Sequence, residues 1–410
     1  MKPSPVHAPM DQFPIVDNEL HIGGIGISQL AQQVGQTPFY AYDRKLIGER
    51  VQQLRTALPQ DIHLHYAIKA NPMPELVQHM AGLVDGFDLA SAGEMHVALT
   101  TAMSRDKISF AGPGKTDIEL SAAIEAGIII NMESEGEMRR IAAIAGTLGV
   151  TPKVAIRINP DFELKSSGMK MGGGPKQFGV DAERVPAMLQ ELAALELEFF
   201  GFHIFSGSQN LKEESIMEAH EKTFELALRM NEHVPSPVKL LNIGGGLGIP
   251  YFPGEKRLDL TPIGDNLSRL LPDVRKALPE TEIVTELGRF LVGEAGVYVC
   301  KIIDKKISRG ETFLITDGGL HHHLAASGNF GQVIRKNYPV TIGNKAGSND
   351  TEVVNVVGPL CTPLDILGNK MELPKAEVGD LVVVYQSGAY GYTASPHLFL
   401  SHPAPKQILV

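Results

Sequence analysis

The stretch HLHYAIKANP, residues 63–72, has the pattern of a buried β-strand that ends on a lysine. Asn71-Pro72 comes just after Lys69 and predicts a sharp turn at the end of the strand. A lysine at a strand end more often lies half-buried, with its ammonium reaching water, than takes part in chemistry. Whether Lys69 has a functional role therefore has to be judged from the other strands of the chain.

Seven further strand-like runs follow: VDGFDLAS, KISFAGP, GIIINME, KVAIRIN, EFFGFHIFSG, VKLLNIGGG and EIVTELGR. Between successive runs lie helical patterns, from residues 73–83 to residues 263–278, whose apolar residues recur at three- and four-residue spacing. This alternation predicts a (β/α)8 barrel of TIM type. An open, doubly wound sheet is the alternative, and it would need a reversal of strand order and usually fewer strands.

Past residue 290 the sequence changes to short strand-like runs separated by Gly, Asn, Asp and Pro, which predicts a second, mostly-β domain. These runs are VYVCKIIDKKI, ETFLITDGG, KNYPVTIG, TEVVNVVG, DLVVVYQSGAY and PKQILV. The early segments HIGGI and TPFYAYD could add strands to the same domain. We therefore expect residues 1–40 to contribute strands to the β domain, residues 41–290 to form the barrel, and residues 291–410 to form the C-terminal β domain.

Composition excludes several classes of partner. The net charge of -10 and the absence of a Lys/Arg-rich run argue against nucleic acid. No stretch is long and apolar enough for a membrane span or a signal peptide, so a cytoplasmic protein without a membrane partner is expected. Two cysteines make no disulfide framework. His321, His322 and His323 are adjacent and point apart, so no metal site is expected there.

Reactive groups of a (β/α)8 barrel gather at the carboxyl ends of its strands. The runs above place there a lysine, two acids with an arginine, an aromatic pair, a serine, a glycine run and a final Glu-Arg pair. These are Lys69, Asp88, Glu94, Arg157, His203, Phe205, Ser208, Gly244, Gly245, Gly246, Glu286 and Arg289. An amine, backbone N–H donors with an arginine, and a carboxylate match the aldehyde, the phosphate and the ring nitrogen of pyridoxal 5′-phosphate.

The motifs YAIKANP, FDLASAGE, GSQ, GGGLGI, ELGR, GPLCTPLD and SGAYGYTAS occur in this order. Over nearly its whole length the chain resembles the pyridoxal-phosphate decarboxylases of the alanine-racemase-like fold, which act on diaminopimelate, ornithine or arginine. The resemblance implies an amino-acid decarboxylase with a Schiff base on Lys69 and with Glu286 at the ring nitrogen. It implies a phosphate site formed by the glycine run and Arg289, with Ser208 and Tyr390 as further candidates, while Asp88, Glu94 and Arg157 support the cofactor.

The resemblance also implies a homodimer with shared active sites. Cys361 and Asp365 of one subunit would reach the active site of the other, with Cys361 as donor of the proton that replaces CO₂. Relatives carry a histidine two residues before GSQ that stacks on the cofactor, where this chain has Phe205, with His203 two residues earlier. Either ring could stack, and the register favours Phe205.

The sharpest departure follows Cys361. Lysine-, ornithine- and diaminopimelate-type relatives place an acidic residue there for the distal amine of the substrate, but this chain has Thr362-Pro363. A distal ammonium would lack a charge partner. Together with the stretch SSGMKMGGGPKQFGVD, this resembles the subgroup that acts on unusual or carrier-linked amino acids. The main prediction is diaminopimelate-type decarboxylation. The alternatives are a decarboxylase of a carrier-linked or acidic amino acid, an amino-acid racemase and a non-catalytic regulatory homologue.

Overall fold

The computed structural model describes residues 5–164 and 169–410. The chain divides into two compact units. The barrel unit comprises Arg50–Ile249 and Leu258–Gly288, and the β unit comprises Met1–Glu49, Pro250–Arg257 and Arg289–Val410.

The barrel unit is a closed ring of eight parallel strands that follow one another in chain order. The last strand pairs with the first, and the fourth pairs with the fifth, so the sheet has no reversal of order. The predicted (β/α)8 barrel is therefore confirmed. Its strands are Ile62–Ala67, Gly86–Leu89, Ile108–Phe110, Ile129–Met132, Lys153–Asn159, Glu198–Ile204, Leu240–Gly245 and Glu282–Leu287.

Each of the seven predicted helical patterns forms a helix between barrel strands. The helices are Pro74–Met80, Ala92–Leu99, Asp117–Ala126, Glu135–Leu148, Val185–Leu192, Glu213–Asn231 and Thr261–Ala277. Ser91, Thr116 and Ser134 begin three of them, and each side chain accepts the N–H of the glutamate three residues later. The chain also forms the helices Ile27–Val34, Arg44–Ala57 and Arg289–Val292 and the short strands Met169–Lys170, Val180–Asp181 and Gly207–Ser208.

The β unit is mostly β, as predicted. Its main sheet has the order Val340–Ile342, Leu381–Val384, Gly296–Ser308, Glu311–Thr316, Thr351–Val357 and Ile366–Pro374. Phe39–Tyr42 pairs with Gly296–Ser308 and with Lys406–Leu409. A small separate sheet contains Ile15–Val16, Glu19–Ile22 and Ile25–Gly26.

Sequence reasoning missed the strand Ile366–Pro374. Its sequence ILGNKMELP contains Gly368-Asn369-Lys370, which has the composition of a turn. Lys370 adopts a positive φ of 49°, and the pairing with Thr351–Val357 shifts register on either side of Val356. The strand thus continues through a bulge at a point where the local composition indicates a turn.

Apolar residues from both chain ends form one core in the β unit. Leu20, Ile22 and Ile27 pack in the same buried cluster as Phe39 and Val383. Among residues 5–164 and 169–410, no helix has the length and apolar character needed to cross a membrane.

Candidate active site

Lys69 lies on a single 3-10 turn, Ile68–Ala70, that follows the first barrel strand. Asn71 fixes the turn, because its carbonyl accepts the Tyr66 hydroxyl at 2.8 Å and its side-chain Oδ1 accepts the Met73 N–H at 3.2 Å. The Lys69 side chain is 44% exposed. The turn therefore holds an accessible ammonium at the carboxyl end of the barrel.

Glu286, on the last barrel strand, is the partner of this lysine. Its Oε1 lies 3.2 Å from Lys69 Nζ, and its Oε2 lies 3.1 Å from His203 Nε2. Burial would raise the pKa of Glu286, but Lys69, His203 and, more weakly, Arg157 together hold it well below its usual range. Glu286 is thus a buried, ionised carboxylate.

The two candidate stacking rings occupy different environments. His203 is 2% exposed and turned toward Glu286. Phe205 is partly exposed, and its ring centroid lies 5.6 Å from Lys69 Nζ. The ring beside the accessible lysine is therefore that of Phe205.

Asp88 lies on the second barrel strand, and Glu94 lies in the first turn of the helix Ala92–Leu99 that follows it. The Glu94 carboxylate accepts the Ala90 N–H at 2.7 Å. Burial raises the pKa of Glu94, and the charge of Glu286 adds to this effect, while the Ala90 hydrogen bond and Lys69 oppose it. Asp88 accepts the Ser109 hydroxyl at 2.5 Å and lies 3.4 Å from His65 Nδ1, inside the barrel.

Arg157 is held by an acid that sequence reasoning did not single out. Its Nη1 donates to Glu133 Oε1 at 2.8 Å, and its guanidinium lies 4.8 Å from the centre of the Phe178 ring. Glu133 also accepts the N–H groups of Gly112 and Gly179, each at 2.7 Å. The available signal was its place directly after the fourth strand, where a buried acid needs a partner.

The glycine run closes against its neighbours in the barrel. Gly244 and Gly246 have φ values of 71° and 79°. A Cβ on Gly246 would lie 2.1 Å from the carbonyl oxygen of Gly207, and one on Gly245 would lie 2.0 Å from that of Glu286. Only glycine therefore brings this backbone so close to the GSQ loop and to the Glu286 strand.

Ser208 belongs to the short strand Gly207–Ser208, which pairs antiparallel with Met169–Lys170. These two residues come from the stretch SSGMKMGGGPKQFGVD, residues 166–181, whose first three residues lie outside the described part of the chain. The described pairing places Met169 and Lys170, from this glycine-rich stretch, beside the GSQ loop.

In the β unit, Arg289 and Tyr390 form one cluster with Tyr251, which sequence reasoning missed. The guanidinium carbon lies 4.8 Å from the Tyr390 ring centre and 5.3 Å from that of Tyr251, and Arg289 Nη1 donates to the Tyr251 hydroxyl at 2.8 Å. Within the described residues, the buried Arg289 Nε has no hydrogen-bond partner. This cation is held by tyrosines and keeps a donor for an anion.

Asp365 is 3% exposed and anchors the loop that carries Cys361. Its carboxylate accepts the N–H groups of Leu320 at 2.6 Å and Leu360 at 2.9 Å. Cys361 is exposed, and Thr362 is partly exposed. His321, His322 and His323 are buried in the same unit, and the described residues contain no group of three or more His, Cys, Asp or Glu that could hold a metal ion.

The structure thus brings Lys69, Glu286, His203, Phe205 and Glu94 together in the barrel unit, with the glycine run and Ser208 beside them. Asp88 and Arg157 are buried within the same barrel, where Asp88 lies beside His65 and Ser109 and Arg157 forms an ion pair with Glu133. The β unit groups Arg289 with Tyr390, and it carries Cys361, Thr362 and Asp365 on another loop.

Comparison with known proteins gives concordant matches. The profile of the family described as pyridoxal-dependent decarboxylase, pyridoxal binding domain, matches residues 44–293. The L-glutamyl-(BtrI acyl-carrier protein) decarboxylase of Niallia circulans is 40% identical over 380 residues, covering 91% of this chain and 89% of that protein. Diaminopimelate decarboxylase of Aquifex aeolicus is 34% identical over 397 residues, covering 96% and 91%. The crystal structure of diaminopimelate decarboxylase from M. jannaschii superimposes with a TM-score of 0.87 at 26% identity, covering 97% and 92%.

Proposed function

This chain belongs to the pyridoxal-dependent decarboxylases, and from that premise we propose that it decarboxylates an amino acid joined through its side-chain carboxyl to an acyl carrier protein. The carboxy-lyase activity and the pyridoxal 5′-phosphate cofactor follow from the family. The substrate is the part that we propose. The observation that carries it is the loop after Cys361, which offers no carboxylate to a distal ammonium.

The residues fit the cofactor. Lys69 supplies an accessible amine, and Glu286 supplies a buried, ionised carboxylate 3.2 Å away. Arg289 keeps a buried donor without a partner among the described residues, and its guanidinium is the class of group that binds phosphate. When bound, pyridoxal phosphate accepts into its ring the electron pair that remains as a carboxyl group leaves the α-carbon.

We assign the roles accordingly. Lys69 attaches the cofactor, and Glu286 holds a proton at the ring nitrogen. In the barrel unit, we propose the N–H groups of the glycine run and Ser208 as phosphate ligands and Phe205 as the residue that covers one ring face. In the β unit, we propose Arg289 and Tyr390 as phosphate ligands. Cys361 delivers the proton that replaces CO₂.

The chemistry of the reaction restricts how a carrier can be attached. A decarboxylase of this family needs a free amine and a free carboxylate on the same carbon of its substrate. A carrier-linked amino acid must therefore be joined through its side-chain carboxyl, as a thioester. Such a thioester is uncharged, so the distal end of this substrate needs no acidic partner.

The loop after Cys361 agrees with an uncharged distal group. Residues 359–366, PLCTPLDI, contain a single acid, Asp365. Both oxygens of that acid accept backbone N–H groups of the β unit, and the residue is 3% exposed. A distal ammonium would therefore find Thr362 and Pro363 where diamine-forming relatives place a carboxylate, at a cost of several kcal/mol if desolvated. The 40% identity to a decarboxylase named for a carrier-linked glutamyl substrate supports the same reading.

We also propose that the active enzyme is a homodimer. Cys361 is exposed in the single chain, next to a loop whose apolar side chains face solvent. Leu364 is 59% exposed, Ile334 77% and Val333 102%. Asn329 Nδ2 donates to the Leu364 carbonyl at 3.2 Å, so the two loops adjoin. A second subunit that covers this surface would bury it and complete the site.

Thr362→Glu tests the substrate assignment with free amino acids. Restoring an acid after Cys361 is expected to raise kcat/KM for meso-diaminopimelate by at least roughly tenfold, because the distal ammonium regains a charge partner. The measurement is CO₂ release by the holoenzyme. Thr362→Gln, of the same length without charge, is the matched control and should give no gain.

The assignment would be contradicted if the wild-type enzyme already turned over meso-diaminopimelate efficiently and Thr362→Glu lowered that activity. Other residues would then recognise the distal amine, and the carrier-linked assignment would be wrong.

A further inference from the structure

His203 and Glu286 meet across an intervening strand of the barrel. His203 lies on Glu198–Ile204, Glu286 lies on Glu282–Leu287, and the strand Leu240–Gly245 runs between them. His203 Nε2 nevertheless lies 3.1 Å from Glu286 Oε2, within ion-pair distance, although neither ring nitrogen is aligned for a hydrogen bond with a described residue. Two side chains on next-nearest strands can meet only where the strand between them leaves room.

The carboxyl end of the intervening strand is formed by glycines. The middle strand ends in Gly244-Gly245, and a Cβ on Gly244 would lie 3.1 Å from the Phe205 ring, while one on Gly245 would lie 2.0 Å from the Glu286 carbonyl oxygen. Asn242, the residue of this strand that is in register with His203, is turned to its own backbone, where Oδ1 accepts the Gly244 N–H at 2.8 Å. The strand thus has a glycine in register with Glu286 and a backbone-bonded asparagine in register with His203.

Each oxygen of the buried Glu286 carboxylate lies beside a different side chain. Glu286 is 5% exposed, so water cannot satisfy both of its oxygens. Lys69 lies at Oε1 and His203 lies at Oε2. Lys69 is committed to the cofactor when it acts as the attaching amine, whereas nothing in the reaction draws His203 away. His203 is therefore the lasting partner of the carboxylate.

We propose that His203 is a positioning residue, which fixes Glu286 Oε2 so that the carboxylate stays ionised with Oε1 directed to the ring nitrogen of the cofactor. His203 acts through Glu286, and the stacking role belongs to Phe205.

The test compares two cofactors that differ in one atom. Pyridoxal 5′-phosphate and its 1-deaza analogue, in which carbon replaces the ring nitrogen, are titrated into the apoenzyme by fluorescence. His203→Phe keeps a ring but removes the N–H, and it is expected to weaken pyridoxal phosphate binding on the order of 10- to 100-fold. Binding of the deaza analogue should change by less than about threefold, because Glu286 has no ring nitrogen to meet.

Further variants separate this role from general disruption. His203→Gln, whose amide can reach Glu286, should retain most of the affinity, while His203→Asn, whose amide stops short, should repeat the selective loss. His220→Phe changes a buried histidine on the outer helix Glu213–Asn231 and should affect neither titration. Equal weakening of both cofactors by His203→Phe and His203→Asn, or no weakening of either, would overturn the proposal.

Discussion

Lys69→Ala is expected to lower kcat/KM for decarboxylation by at least about 10⁴-fold, because it removes the amine that attaches the cofactor. The turn Ile68–Ala70 places this amine 3.2 Å from the buried carboxylate of Glu286, which we propose to meet the ring nitrogen. Alanine keeps the backbone of the turn, so the protein should still fold. The loss would therefore be chemical.

Two measurements check this result. CO₂ release gives the rate, and borohydride reduction followed by peptide mass analysis shows whether the cofactor is covalently held. The wild-type protein should carry the reduced cofactor on the peptide that contains residue 69, and Lys69→Ala should carry none. Lys212→Ala, which changes an exposed lysine before the helix Glu213–Asn231, is the control and should behave as the wild type. A Lys69→Ala enzyme that keeps a tenth or more of the activity would refute the assignment.

Mixing Lys69→Ala with Cys361→Ala is expected to restore about a quarter of wild-type activity from two nearly inactive proteins. If each site takes Lys69 from one subunit and Cys361 from the other, half of the randomly assembled dimers are heterodimers. Each heterodimer then has one intact site and one doubly altered site. The exposure of Cys361 in the single chain is the structural reason to expect this sharing.

The mixing experiment has an internal control. Lys69→Ala mixed with the double variant Lys69→Ala/Cys361→Ala contains no intact site and should stay inactive. Native mass spectrometry establishes that the subunits exchange. Exchange without recovery would show that each chain completes its own site and would contradict the shared-site proposal.

The barrel could be predicted from sequence because its signals are local. Each strand-like run is short and apolar, each helix has one apolar face, and their alternation leaves few topologies. The strand Ile366–Pro374 escaped prediction because it bends through Gly368-Asn369-Lys370, where local composition indicates a turn and only pairing with Thr351–Val357 maintains the strand.

The site was predictable as a set of residues but less so as a set of contacts. Lys69 and Glu286 stand at strand ends, and a closed barrel brings its first and last strands together. The pairing of His203 with Glu286 depends on a distance across the barrel that no local pattern encodes. Tyr251 was missed for the same reason, since it is recognised only by the arginine that it contacts, whereas Glu133 could have been found from its place directly after the fourth strand.

For the loop after Cys361, the sequence and the structure each contribute one observation about the substrate. Sequence reveals that Thr362-Pro363 replaces an acid, but Asp365 stands close enough in the chain to substitute for it. The structure removes that possibility for the described loop, because the Asp365 carboxylate is buried and accepts two backbone N–H groups. The two observations together support the proposed uncharged distal group.

The most direct measurement is the intact mass of an acyl carrier protein that bears L-glutamate through a side-chain thioester, before and after incubation with the holoenzyme. Loss of one CO₂, with the thioester retained, is the result that we predict. An unchanged carrier mass, under conditions in which the same enzyme converts free meso-diaminopimelate to lysine, would contradict the account.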